Sequence, residues 1–563
     1  MQVNTEFDAI VIGSGITGGW AAKELTEKGL KVLMLERGRE IVHGKDYVGE
    51  HKGIWENQYR NLPDRKLYDE EYPIQQKSYA FSEFTRQFWN NDKKNPYVFD
   101  ESKPFYWHRA DVLGGRSLLW GRQVYRFSDL DFEANKTDGH GIDWPIRYSD
   151  IKDWYSYVEK FIGVSGRAEN LPQLPDSEFL PPMAFNTVEA LMKQCIEAQF
   201  DDRIMTIGRT AILTVPHNGR APCHYCGPCH RGCSTGSYFS SHSSTLPAAF
   251  KTNNLTLKTD CVVERLEYSP ETHRVAGVTV IDANTQEKTT YQGKLVFLCA
   301  STVASTQILL NSRSESFPNG LANSSGVLGH YLMDHTNGLS ALGTIPGYEE
   351  DYYYGNRPNG IYIPRFKNVG KQQTTFLRGY GYQGGAFRMD WRGIQNEACG
   401  FGKGFKEKLQ QPGSWRVALV GFGETLPRYD NAMKLSKTNT DRFGIPQVEF
   451  NFAWTDNERA MREDMAEEGA AMLKAAGAVD IVTSTDMDPG GAAIHEMGTT
   501  RMGRDPKDSV LNQYNQSHDV PNLFVTDGAC MTSSSCVNPS LTYMALTARA
   551  VDYAVKQLRT GLI

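Results

Sequence analysis

The segment Phe7–Glu36 leaves this chain little choice of fold. Phe7-Asp-Ala-Ile-Val-Ile12 is a short apolar run with strand character, followed at once by Gly13-Ser-Gly15-Ile-Thr-Gly18-Gly19. Trp20–Lys28 reads as a helix, and Leu30–Leu35 as a second apolar strand ending on Glu36. Strand, G-x-G-x-x-G, helix, strand, acid is the dinucleotide fingerprint in its full context. Gly13 permits the tight turn, Gly15 lets backbone approach a pyrophosphate, and Gly18 lets helix and strand pack closely. The helix N-terminus presents free N–H groups to phosphate, and Glu36 is placed to accept hydrogen bonds from a ribose. By itself the pattern serves FAD and NAD equally.

Length and charge narrow the class. The chain has 563 residues, enough for two or more domains. A formal net charge of −6 with no basic tract argues against a nucleic-acid partner. No apolar run approaches the roughly 18 residues of a membrane helix. Met1–Ile10 lacks the basic and then apolar regions of a secretory signal, which by itself points to the cytoplasm.

A second feature is chemical. Four of the ten cysteines, Cys223, Cys226, Cys229 and Cys233, fall in one C-x2-C-x2-C-x3-C run, while Cys195, Cys261, Cys299, Cys399, Cys530 and Cys536 are scattered as small hydrophobes usually are. Disulfides would suit a small secreted scaffold. A structural zinc site usually joins two close ligands to two distant ones. The spacing fits an iron–sulfur run best, although Ser234 stands where ferredoxins carry proline. It accommodates [4Fe–4S] on four thiolates, the favoured form, or [3Fe–4S] on three. The run is flanked by Gly and Pro, so it belongs on a loop, and the hydroxyl-rich stretch to Thr245 can hydrogen-bond sulfur.

Between these landmarks, residues 40–104 show little periodicity and read as a long excursion over the surface or along a partner. Asp150–Phe161 has one apolar face and reads as a docking helix. Leu255–Thr259, Cys261–Tyr268 and Val275–Asp282 alternate like antiparallel strands. Lys294–Ser301 reads as a buried strand entering a helix at Val303–Asn311. From about 336 to 485 the expected strands are Ile361–Ile363, Thr375–Tyr380, Arg416–Phe422 and Val448–Phe452, with a helix over Asn457–Ala476. His495-Glu-Met-Gly-Thr499 only begins like the zinc motif H-E-x-x-H and lacks its second histidine. Pro539 suits the first turn of a long C-terminal helix, whose N-terminus can face an anionic ring.

Together these residues resemble the glucose–methanol–choline (GMC) oxidoreductase family. The resemblance rests on Gly13–Gly18 with Glu36, Gly114-Gly115-x-Ser117, Val263, Leu298–Leu310 including Ala300, Tyr331–His335, His495, Asp527-Gly528 and Asn538-Pro539. It implies an α/β (α+β) fold, with a Rossmann-like FAD domain and an interleaved substrate domain of antiparallel sheet plus helices. The expected division is 1–335 with 486–563 for FAD, carrying an iron–sulfur loop at about 213–243, and 336–485 for substrate. It also implies that those residues hold FAD and that His495 and Asn538, 43 positions apart, form the catalytic pair. Leu119 stands where a flavin-linked histidine sits in the pyranose oxidase branch, so FAD is expected to be non-covalent.

The cysteine run resembles that of flavoprotein subunits of bacterial sugar dehydrogenases, glucoside 3-dehydrogenases above all. This implies oxidation of a sugar or glucoside at C3, with electrons leaving through the cluster to a c-type cytochrome. It implies a small subunit carrying an export signal, hence a periplasmic location despite the N-terminus. Two alternatives stand beside it. One is a gluconate or aldonate 2-dehydrogenase subunit, whose anionic substrate would want an arginine such as Arg388 or Arg428. The other is a non-catalytic flavin electron-transfer subunit with structural zinc. His335 reads as structural, and Gln383, Glu424 and Arg388 are pocket candidates only by their polarity in apolar or glycine-rich strands, each reading more readily as a routine surface or loop residue.

Overall fold

The computed structural model describes residues 3–389 and 400–563. At its centre lies a seven-stranded sheet. Val3–Ile12 (β1) runs between Val32–Leu35 (β2) and Lys288–Leu298, parallel to both. Leu523–Val525 pairs parallel with the end of Lys288–Leu298, and Arg274–Asp282 and Cys261–Ser269 continue the sheet antiparallel on that side. All four residues of β2 are buried, as for a strand covered on both faces, so it reads as a continuous apolar run. Leu255–Lys258 departs from expectation, because it pairs parallel with β2. It sits at the sheet edge with only alternate residues sheltered, and that produces the alternation of an antiparallel strand. The helix Ile16–Glu27 (α1) packs beneath this sheet against the C-terminal helix Ser540–Arg559.

A second, six-stranded antiparallel sheet has the order Val479–Thr483, Thr336–Ile345, Trp415–Gly423, Tyr380–Arg388, Ile361–Ile363, Thr206–Ile207. The helix Asp456–Ala475 lays Met461, Met465 and Met472 onto Val417, Leu419 and Tyr382 of this sheet, and Thr187–Gln199 adds Val188, Met192 and Ile196 to the same core. The strand expected at Thr375–Tyr380 instead begins at Tyr380. The preceding carbonyls of Phe376 and Arg378 are taken by the Asn368 side chain, which leaves them no ladder to join. Pro446–Asn451 joins a separate three-stranded sheet with Ala432–Thr440 and Val98–Phe99. The excursion at 40–104 is more than a surface wrap, since it buries Phe84, Phe88 and Trp89 and packs Phe88 and Trp89 against Leu118 and Leu119 of the glycine loop.

Glu424 is fully buried between Arg365 (2.9 Å) and Arg378 (3.2 Å), and Arg378 also pairs with Asp138. The cluster ties the six-stranded sheet to the segment at 135–138, where Asn135 also accepts from Arg378 (2.8 Å). Removing one member of a buried ion pair strands the others without water. Glu424→Leu is therefore expected to cost about 3 kcal/mol or more, read as an earlier unfolding midpoint in urea.

Candidate functional site

The turn after β1 opens onto a cavity walled by Gly13–Thr17, Glu36, Gly115–Ser117, Val263, Ala300, Asp527-Gly528 and Asn538–Ser540. Gly13 has φ +96°, and a Cβ there would lie 2.5 Å from the Cys299 carbonyl oxygen. A Cβ on Gly18 would lie 1.9 Å from the Gly13 oxygen, whereas one on Gly15 would meet nothing within 4 Å. So Gly13 and Gly18 make the turn, and Gly15 leaves bare backbone facing open space. That is the shape a pyrophosphate needs at a helix N-terminus.

Glu36 accepts from the Ser14 N–H (3.0 Å), the Ser14 hydroxyl and the Gly38 N–H (2.7 Å), and burial pushes its carboxyl up. Ser14 Oγ in turn accepts from the Gly114 N–H (2.8 Å), so the fingerprint and the second glycine loop are pinned together. Gly114 itself lies behind the wall at φ +80°, against the His242 ring. Ser117 Oγ donates to the Gly114 carbonyl (2.6 Å) and accepts from the Ser241 N–H (3.1 Å). Asp527 accepts from Ser305 Oγ (2.5 Å) and the Ala529 N–H (3.0 Å), and burial raises its carboxyl to about 6. Pro539 caps the C-terminal helix rather than entering it.

In the wall of the same cavity His495 and Asn538 meet, with Asn538 Nδ2 3.3 Å from His495 Nε2. Two further residues hold them. His335 Nδ1 lies 2.9 Å from His495 Nδ1, and its Nε2 lies 2.8 Å from the Ser535 carbonyl oxygen. Gln383 Nε2 donates to Asn538 Oδ1 (2.6 Å), which turns the Asn538 amide nitrogen toward His495. The Asp334 carboxylate accepts from the backbone N–H of Ala493 (3.1 Å) and His495 (3.0 Å). Burial holds both imidazoles neutral: His335 is lowered to about 4, and His495 well below the usual range, helped by His335 and Arg116. Arg116 is neutralised by a two-pronged pair with Glu496 (3.1 and 2.9 Å).

His335 reads from the sequence as structural, and Gln383 as a candidate by polarity alone, so neither is assigned its contact in advance. Gln383 shows only as a polar residue in a glycine-rich strand, and its contact with Asn538 spans 155 positions. The pairing of Tyr380–Arg388 with Trp415–Gly423 is what carries it there. With Gln383 replaced by leucine, the Asn538 amide loses its orienting partner, and we expect kcat/KM to fall about tenfold with flavin retained. Arg388 and Arg428 do not approach the site. Arg388 donates to the carbonyls of Gly413 (2.6 Å), Glu349 (2.9 Å) and Asp351 (2.7 Å), and Arg428 pairs weakly with Asp430 (3.9 Å).

Cys223, Cys226, Cys229 and Cys233 lie on one loop, Cys226 exposed and the others half-buried. All are free thiols, and among the described residues no three His, Cys, Asp or Glu side chains are gathered to hold a metal ion. The expected metal cage is thus not formed by the side chains alone. By residue type the donor set suits a soft metal, four sulfurs on one loop with Cys233 Sγ 3.2 Å from Thr235 Oγ1, whereas burial pushes the Cys223, Cys226 and Cys229 thiols up and so favours their protonated form over the thiolate a metal needs. The loop abuts the cavity wall. His230 Nδ1 is 3.1 Å from the Leu119 carbonyl, its ring packs edge-on with Tyr79, and Ser241 Oγ donates to the Gly15 carbonyl (3.0 Å). Of the scattered cysteines, Cys261, Cys299, Cys530 and Cys536 are buried and Cys195 half-buried, while Cys399 lies outside the described residues.

A nucleotide cavity with a neutral imidazole in its wall suits an enzyme that takes hydrogen from an alcohol, with a bound dinucleotide receiving the hydride. Models of the GMC oxidoreductase family match residues 7–337 and 427–547, and the chain belongs to that family of FAD-dependent sugar and alcohol oxidoreductases. It is similar along nearly its whole length to two curated proteins. One is 2-methyl-1,2-propanediol dehydrogenase of Mycolicibacterium austroafricanum, 27% identical over 97% of this chain and 94% of the relative. The other is the fructose dehydrogenase large subunit of Gluconobacter japonicus, 25% identical over 98% of each. Pyridoxine 4-oxidase from Mesorbium loti shares the fold, with a TM-score of 0.60 at 15% identity over 98% of this chain and 99% of that one. No helix among the described residues is long and apolar enough to cross a membrane.

Proposed function

We propose that this chain oxidises a secondary hydroxyl of a sugar or glucoside, at C3, to the keto sugar, using non-covalent FAD. The observation that carries the proposal is the neutral His495 beside the oriented Asn538 amide in the wall of the fingerprint cavity. FAD, when bound, supplies the acceptor for the hydride that leaves the alcohol carbon. His495 takes the hydroxyl proton at Nε2, and Asn538 holds the hydroxyl in line. Gly13, Gly15, Gly18, Gly114, Gly115, Ser117 and Glu36 hold or shape the nucleotide end. Val263, Ala300, Asp527, Gly528 and Pro539 line or border the rest.

The arginines expected to hold an aldonate, Arg388 and Arg428, do not line the cavity, whereas Arg122 does and keeps Nε and Nη1 unpartnered, so the substrate screen includes aldonates. Arg388 and Arg428 are engaged elsewhere, and Arg116 is already neutralised by Glu496. The C3 assignment rests on the likeness of the stretch Cys223–Phe239 to glucoside 3-dehydrogenases. Cys223, Cys226, Cys229 and Cys233 would hold an iron–sulfur cluster, [4Fe–4S] before [3Fe–4S], which supplies one-electron transfer toward a c-type cytochrome. The contact of His230 on this loop with the Leu119 carbonyl supports that role. The relative named as a large subunit supports a small partner subunit, and with it export to the periplasm. Residues 1–335 and 486–563 would form the FAD domain, and 336–485 the substrate domain.

The deciding experiment is anaerobic purification with flavin, iron and sulfide quantified, followed by a glycoside and aldonate screen with an artificial electron acceptor. Iron with sulfide, and a 3-keto product by NMR, are expected. Zinc without iron would overturn the cluster, and oxidation of aldonates but not glucosides would overturn the substrate.

A further inference from the structure

From the contacts of the two buried imidazoles we infer that His335 is a positioning residue that locks His495 in the one tautomer able to accept a substrate proton. The inference rests on the reading of His495 as the base. Its logic is a count of hydrogens. The Ser535 carbonyl can only accept, so the His335 Nε2 that faces it at 2.8 Å must carry the proton. A neutral imidazole has one N–H, so His335 Nδ1 is bare. The facing Nδ1 of His495, at 2.9 Å, must then be the donor, because two bare nitrogens at that distance would repel. That leaves His495 Nε2 bare. Asn538 agrees, since its Oδ1 is taken by Gln383 and only its NH2 can face His495. Four groups on three stretches of chain, His335, Gln383 and the segment holding Ser535 and Asn538, therefore specify one proton position on His495, the second-contact control that ligand histidines commonly show.

The surroundings keep both rings neutral and leave the choice of tautomer to these contacts. Arg116 and Glu496 form their own pair beside His495, and the Asp334 carboxylate takes backbone N–H groups. His335 is buried, and partners on both ring nitrogens, His495 Nδ1 and the Ser535 carbonyl, fix its orientation.

Two substitutions separate the lock from bulk. Asparagine can place Oδ1 where His335 Nδ1 was, keeping an acceptor for His495. Glutamine reaches toward Ser535 instead and leaves His495 Nδ1 without one. The limiting rate of anaerobic flavin reduction in His335→Gln is expected to fall about 10–100-fold with half-saturation nearly unchanged. His335→Asn should stay within about fivefold of the parent. Equal losses in both, or none in glutamine, would overturn the lock. Should the variants fold poorly, 15N NMR of histidine-labelled parent protein gives the answer directly. Nδ1 protonated and Nε2 bare on His495 is expected, and the reverse would overturn the lock. His495→Ala retaining rapid flavin reduction would instead sink the underlying base assignment, so the two failures are distinguishable.

Discussion

His495→Ala is expected to lower the limiting rate of flavin reduction by about 10³-fold while FAD stays bound. The loss follows from the coupling of two transfers. Hydride leaves a secondary carbinol readily only as its hydroxyl proton departs, and a positioned base contributes roughly 10²–10⁴ to such a step. Retention of FAD follows from distance along the wall. The nucleotide end is shaped by the turn at Gly13–Gly18, Glu36 and the Gly114 loop, none of which bonds to the His495 ring. A parallel His495→Asn variant keeps polarity and should lose a similar factor. Stopped-flow reduction with substrate, together with the flavin-to-protein ratio, reads both halves.

The parent enzyme should also show where its base titrates. Burial lowers His495 and His335 below the ordinary imidazole value, so Nε2 of His495 stays bare as pH falls through 6.5. The flavin-reduction rate is then expected to show no imidazole loss between pH 8 and about 6. An inflection near pH 7 would belong to Asp334, whose carboxyl burial and Glu496 push up to about 7, and Asp334→Asn should remove it. Stability carries the matching sign. Below about 6.5 the unfolded histidines bind protons that the folded ones refuse, so these groups cost stability as pH drops from 6.5 toward about 4.

What could be read in advance divides by range. The βαβ start was legible because its signals are local: β1, the glycine turn, α1, β2 and Glu36 follow one another within residues 3–36, each with its own packing reason. The pairing of His495 with Asn538 came from family resemblance, and the structure places the two side chains together. The contacts that hold the pair had no local signal. His335 reaches His495 across 160 positions, and Gln383 reaches Asn538 across 155. A polar residue inside a glycine-rich strand looks alike whether it faces solvent or a site. Glu424 shows the same limit from the other side, since its burial between two arginines depends on sheet packing that no short window contains. Edge strands mislead for a related reason: the alternation of Leu255–Lys258 reports half-burial, and pairing direction leaves no trace in it.

The glycine turn gives a second large effect, and here two substitutions of the same size should fail in different ways. Gly18→Ala puts a methyl 1.9 Å from the Gly13 carbonyl oxygen, a backbone atom inside the turn that joins β1 to α1. No side-chain rotation relieves that contact, so helix and strand must part, and Gly13 at φ +96° must move as well. Overpacking a rigid site costs about 1–3 kcal/mol or more, and the strand displaced is central to the largest sheet. Gly18→Ala is therefore expected to give a protein with an earlier unfolding midpoint and no retained flavin. Gly15→Ala differs. Its φ of −62° suits any residue, and the new methyl meets nothing within 4 Å. The apoprotein should keep its unfolding midpoint, yet the methyl occupies the space where the pyrophosphate approaches the helix N-terminus, so FAD affinity should fall at least tenfold. Flavin titration and urea unfolding of the two apoproteins separate these outcomes. Equal destabilisation by both would show that the turn is shaped by packing alone. Undiminished flavin binding in Gly15→Ala would move the pyrophosphate away from this turn, and with it the nucleotide end of the whole cavity.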